Sequence, residues 1–79
     1  MRIDKFLKVS RLIKRRTVAN EACDAGRVSV NGRPVKASYD VGIGDVIEIS
    51  FGNRTVQARV KAITESTKKE DAEGMYELL

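Results

Sequence analysis

The apolar residues of this chain change their spacing at Gly26, from steps of three and four before it to steps of two after it. That change confines the fold to a helical opening followed by a β remainder. Ile3, Phe6 and Leu7 form a short apolar helical stripe, with Arg2, Lys5 and Lys8 beside it at spacing three. On a helix of about 3.6 residues per turn, steps of three drift backwards by about 60°, so these bases cover a sector of about 120°. One face of the first helix is then basic and the other buried. Continuing the helix through Arg11 and Lys14 would wrap charge onto the apolar side, so a break is expected between Ser10 and Lys14.

A second helix is expected next, with Thr17 as its N-cap, Glu21 in its early turns and a stripe of Val18, Ala19, Ala22 and Cys23 ended by Gly26. Arg15 and Arg16 fall at its mouth, where the helix dipole and leading backbone N–H groups favour an anion. Beyond Gly26, Val28, Val30 and Val35 flank Asn31-Gly32, a strong signal for a tight type I′ hairpin turn. Val46, Ile47, Ile49 and Phe51 mark a strand with Phe51 expected in the core. Gly52-Asn53 marks a turn, and Val56, Ala58, Val60 and Ala62 alternate as a half-buried partner strand should. Gly42-Ile43-Gly44-Asp45 joins the two hairpins; with a strand rather than a helix after it, it is a turn and not a phosphate loop. Residues 1–64 read as one domain. Residues 65–79 read as a polar C-terminal tail with room for a short helix, where Met75, Tyr76, Leu78 and Leu79 dock as a final helical turn or fray.

Seventy-nine residues bury only about 60–65% of the surface of the unfolded chain, so the core is thin. The fold class is α+β: two antiparallel helices must cover one face of a small antiparallel sheet to make any core. The charge is localised. Residues 1–16 carry seven of the fifteen Lys and Arg, namely Arg2, Lys5, Lys8, Arg11, Lys14, Arg15 and Arg16, against the single acid Asp4, whereas the net charge of the full chain is only +4. A face kept for solubility mixes signs; this one is built for a polyanion. Asp4, alone among the bases, is suited to capping the first turn or pairing with Arg2, Lys8 or another base to fix its direction. Tyr39 and Tyr76 are too few for an aromatic stacking platform, so the helices carry the binding, reading phosphate geometry and RNA shape.

Other chemistries are excluded on composition. The chain has no histidine, which removes the commonest general base and metal ligand. No second carboxylate neighbours Asp4 in sequence to share a metal, and Cys23 within a helical stripe reads as a small core residue. No catalytic residue, metal or cofactor is assigned, and the reading is a binding protein rather than an enzyme. No apolar stretch spans a membrane, the opening residues lack the apolar run of a signal peptide, and one cysteine forms no internal disulfide, so a cytoplasmic setting is expected.

The stretches Arg16-Thr-Val-Ala19 and Gly26-Arg-Val28-Ser-Val30-Asn31-Gly32 resemble the S4-type (alpha-L) RNA-binding domain over roughly Met1 to Phe51. The opening from Met1 to Thr17 is similar to the short bacterial S4 proteins of ribosome-associated quality control, relatives of the proteobacterial heat-shock S4 proteins; Thr67-Lys-Lys-Glu70 and Met75-Tyr76 resemble that group's C-terminal tail. Cys23 departs from the larger aliphatic residue usual in S4 domains. Nothing in the sequence suggests more than a monomer. The resemblance implies a ribosome-associated factor on large subunits obstructed by peptidyl-tRNA. There it contacts 23S rRNA and P-site tRNA while an RqcH-type factor on the same particle drives alanine tailing. It implies Arg2, Lys5, Lys8, Arg11, Lys14, Arg15 and Arg16 as RNA-binding residues, with Asp4 as a matching motif position. An assembly or subunit-recycling factor that binds rRNA without tRNA is the alternative.

Overall fold

The structure, a computed structural model, describes residues 1–65 and 68–79. Thr67, part of the tail resemblance, lies outside the described residues. The chain runs α1 (Ile3–Val9), α2 (Arg16–Asp24), β1 (Val28–Val30), β2 (Arg33–Pro34), β3 (Val46–Phe51), β4 (Arg54–Val60), α3 (Lys69–Glu73) and β5 (Tyr76–Leu78). Its strands form one antiparallel sheet in the order β2-β1-β3-β4-β5. Ile3, Phe6 and Leu7 of α1 are fully buried and meet Ala19 and Cys23 of α2 and Val28, Ile47 and Ile49 of the sheet in one core. The fold is therefore the expected α+β arrangement, enlarged by a third helix and a fifth strand.

The expected break after α1 is present, and its geometry is specific. Ser10 is the C-cap and Arg11 takes a left-handed φ of 64°. The Arg11 N–H donates to Lys8 O at 3.1 Å, the Ile13 N–H to Leu7 O at 3.0 Å, and Ile13 turns into the core. Thr17 is not the cap of α2. Arg15 is, with extended backbone, because the Ala19 N–H closes the first helical turn on Arg15 O at 3.1 Å; Thr17 is exposed in that first turn. This start sets Arg16 and Asn20 one turn apart on the side that meets α1. Gly26 ends the helix as expected: its φ of 75° lets Arg27 N–H reach Ala22 O at 2.9 Å and its own N–H reach Cys23 O at 3.0 Å.

Asn31 and Gly32 have φ of 52° and 86°, as a type I′ turn requires, and Val30 pairs with Arg33 across it. The Asn31 side chain also accepts the Val46 N–H at 3.0 Å, tying the first hairpin to β3. Two expectations fail. Phe51 is 38% exposed and not in the core: it lines an open groove between α2 and the end of β3 instead of being covered by the helix. The last residues make no helical turn and do not fray. Tyr76, Glu77 and Leu78 pair with Val60, Arg59 and Ala58, covering an edge of β4 that would otherwise be open, and Met75 is fully buried.

Candidate nucleic-acid interface

The start of α1 is held by backbone, not by a capping side chain. Ile3 N–H donates to Tyr39 O at 2.8 Å, Asp4 N–H to Ala37 O at 3.3 Å, and Arg2 forms a β-bridge with Asp40. The 37–41 segment thus fixes Arg2 and Asp4 before the helix begins.

Asp4 is 2% exposed. Its Oδ1 accepts from its neighbour's backbone, Lys5 N–H, at 2.8 Å, from Arg2 Nε at 3.2 Å and from Arg16 Nη2 at 3.4 Å; its Oδ2 accepts from Arg2 Nη2 at 3.3 Å and Asn20 Nδ2 at 3.3 Å. Burial by itself would raise the Asp4 pKa, but hydrogen bonds from Asn20, Arg16, Arg2 and the Lys5 backbone outweigh it and hold the carboxyl below its ordinary range. One carboxylate therefore joins the two helices and carries two guanidiniums.

Those guanidiniums keep an outward side. The Arg2 and Arg16 side chains are 50% and 46% exposed, and a guanidinium has five N–H donors. Arg2 directs two nitrogens at Asp4 and Arg16 directs one, which leaves donors on both facing solvent around a local charge of +1. No side chain caps the start of α2, so its leading N–H groups have no capping side chain as partner. A shallow recess of about 360 Å³ lined by Asp4, Arg16, Thr17, Asn20 and Glu21 adjoins them. Such a group can grip a phosphate by charge-assisted, paired hydrogen bonds.

The other bases behave differently from one another. Lys5 pairs with Glu65 Oε1 at 2.5 Å, so its charge is compensated by a residue far along the chain. Lys8, Lys14 and Arg15 are exposed and make no ion pair with the described residues. Arg11 sits exposed at the left-handed corner after α1. The structure thus brings Arg2, Asp4 and Arg16 into contact and leaves Lys8, Arg11, Lys14 and Arg15 exposed. Asp4 pairs with Arg2 and Arg16, not with Lys8. Sequence reasoning missed Asn20 and Glu65: Asn20 stands at i+4 from Arg16, a readable spacing, while nothing local to Glu65 points to Lys5.

Among the described residues no group of three or more His, Cys, Asp and Glu side chains is placed to hold a metal, and no helix is long and apolar enough to cross a membrane. Cys23 is buried, and burial first, then the charges of Asp4 and Asp24, push its thiol up to about 11. It is a core residue and not a nucleophile at neutral pH.

A short helical pair joined by one carboxylate and two arginines, packed on a small antiparallel sheet, defines a small α+β module with a basic end. The chain belongs to the S4 domain family, which residues 1–47 match. It is similar to the RQC P-site tRNA stabilizing factor of Streptococcus pneumoniae, with 56% identity over 79 residues covering 100% of this chain and 90% of that protein. The protein of the same name from Bacillus subtilis is 54% identical, with 100% and 92% covered. Among solved structures, heat shock protein 15 of Vibrio cholerae, described as trimeric, superposes with a TM-score of 0.91 at 28% identity, covering 100% of this chain and 81% of that one.

Proposed function

We propose that this chain is a non-enzymatic RNA-binding factor of ribosome-associated quality control, acting in the cytoplasm on obstructed large ribosomal subunits. It binds 23S rRNA and the P-site tRNA there and steadies the tRNA while an RqcH-type factor extends the stalled chain with alanine. The full-length similarity to proteins named RQC P-site tRNA stabilizing factor supports the setting. The observation that carries the mechanism is the Asp4 carboxylate holding Arg2 and Arg16 with donors turned outward. A fork anchored at its base loses little side-chain entropy when it meets a phosphate. Lys8, Arg11, Lys14 and Arg15 extend the positive field along the same end of the chain, and Lys5 joins them once Glu65 is displaced. If about five phosphates are neutralised, log K falls against log salt with a slope of about −3.5 to −4.5.

The test is sedimentation of tagged protein through sucrose gradients of lysate, with large-subunit fractions probed for the protein and for peptidyl-tRNA. Co-migration with tRNA-bearing subunits, abolished by Arg16→Ala, is expected. Migration only with subunits lacking tRNA would replace this reading with an assembly or recycling factor.

A further inference from the structure

The exposure of Phe51 opens a groove between α2 and the end of β3. Ala22, Ile49, and Val18 and Phe51, 47% and 38% exposed, line it; the space is about 330 Å³. Its charges are unusual for an apolar groove. Arg27 lines it, the Arg54 guanidinium lies over the Phe51 ring 5.7 Å from the centroid, and neither arginine has an acidic partner among the described residues. Glu21 lines both this groove and the recess beside Asp4 and Arg16, so the two are neighbours along α2.

We infer that this groove takes one unpaired nucleotide of the bound RNA, its base against Phe51 and its phosphate toward Arg27 and Arg54. The inference rests on the RNA-binding reading above and adds a second point of contact to it. A flat, weakly polar base joined to an anion matches an apolar floor and aromatic flank beside two uncompensated guanidiniums. The Glu21 carboxylate disfavours a phosphate on its own side and suits the exocyclic amine of a base, as carboxylates accept from cytosine N4. A paired duplex offers no free base to enter, so the groove distinguishes a bulge or loop from a stem.

The chain has no tryptophan, so Phe51→Trp places its one tryptophan in the groove, where excitation at long wavelength separates it from Tyr39 and Tyr76. The probes are a hairpin RNA with one bulged cytidine and the same hairpin fully paired, titrated at low salt. The bulged hairpin should quench the Trp emission and the paired one should not. Phe51→Leu, checked for native circular dichroism, should bind the bulged hairpin about 5-fold or more weakly, from the loss of one stacked base, and the paired hairpin unchanged. Equal binding of both hairpins by Phe51→Leu, with Trp emission unmoved, would overturn the inference while Arg16→Ala still weakened both and so upheld the RNA-binding reading. Failure of the unmodified chain to bind either hairpin would overturn both. A Trp emission shift that depends on protein concentration without RNA, with oligomers in sedimentation, would assign the groove to a second copy of the chain and also overturn it.

Discussion

Asp4 carries a charge that the fold has closed off from water, and Arg2, Arg16, Asn20 and the Lys5 N–H keep it ionised. Its folded pKa lies below the ordinary 3.8. The stability it contributes is therefore present above that ordinary value and lost as pH falls through the folded one. Urea unfolding at stepped pH should show an acid limb in the unmodified chain that is flatter in Asp4→Asn. Superimposable limbs would mean that Asp4 is not the group responsible. At neutral pH the Asn amide turns donors toward donors, and Asp4→Asn should cost about 1–3 kcal/mol. Because the acid is almost fully buried, its effect on RNA binding runs through Arg2 and Arg16, which lose their anchor. Part of this was readable: an acid alone among bases orients them. Which bases it holds was not, since Arg16 and Asn20 approach it only after the chain turns back at Arg11.

That turn is where α1 stops, and it uses a non-glycine residue in a conformation that suits glycine. Arg11 at φ 64° bears a steric cost of about 1–2 kcal/mol that glycine escapes. Arg11→Gly should therefore be more stable than Arg11→Ala by about 1 kcal/mol in urea titrations, a comparison in which both variants lack the arginine's own contacts. Equal stabilities would show that the backbone relaxes out of the left-handed region. At the other end of the chain, Met75 is fully buried between α3 and β5, and Met75→Ala should cost about 2–5 kcal/mol, read by thermal unfolding; a loss below about 0.5 kcal/mol would place β5 outside the cooperative unit. The elements with strong local chemistry were legible: the break after Ser10, the Gly26 stop, the Asn31-Gly32 turn. The short helix for which the tail left room is α3, but β5 was not legible, because three residues give too short a pattern to reveal a period, and the docking of Met75 is a tertiary event. Phe51 misled because strand alternation reports which face a side chain takes, not whether a helix of adequate bulk covers it.

The distribution of charge across the fold decides whether binding is a site or a bulk effect. The net charge is +4, modest enough that losing any one arginine changes it appreciably, so a purely electrostatic attraction would treat all arginines nearly alike. The structure separates two of them. Arg16 stands at the start of α2 on the Asp4 carboxylate, half exposed with open donors. Arg59 stands on β4, paired with Glu77 at 3.3 Å beside Lys61, in a surface ion pair of little energetic weight. Arg16→Ala and Arg59→Ala remove the same charge. If the fork makes a charge-assisted contact with a phosphate, Arg16→Ala should weaken RNA binding by about 1.5–3 kcal/mol and reduce the salt slope by about 1. Arg59→Ala should leave both within experimental scatter. Filter binding of one RNA at several salt concentrations measures the pair together. Equal losses at the two positions, with equal changes in slope, would mean that the chain is drawn to RNA by its overall charge, and that the carboxylate-anchored fork is a device for joining α1 to α2 and nothing more.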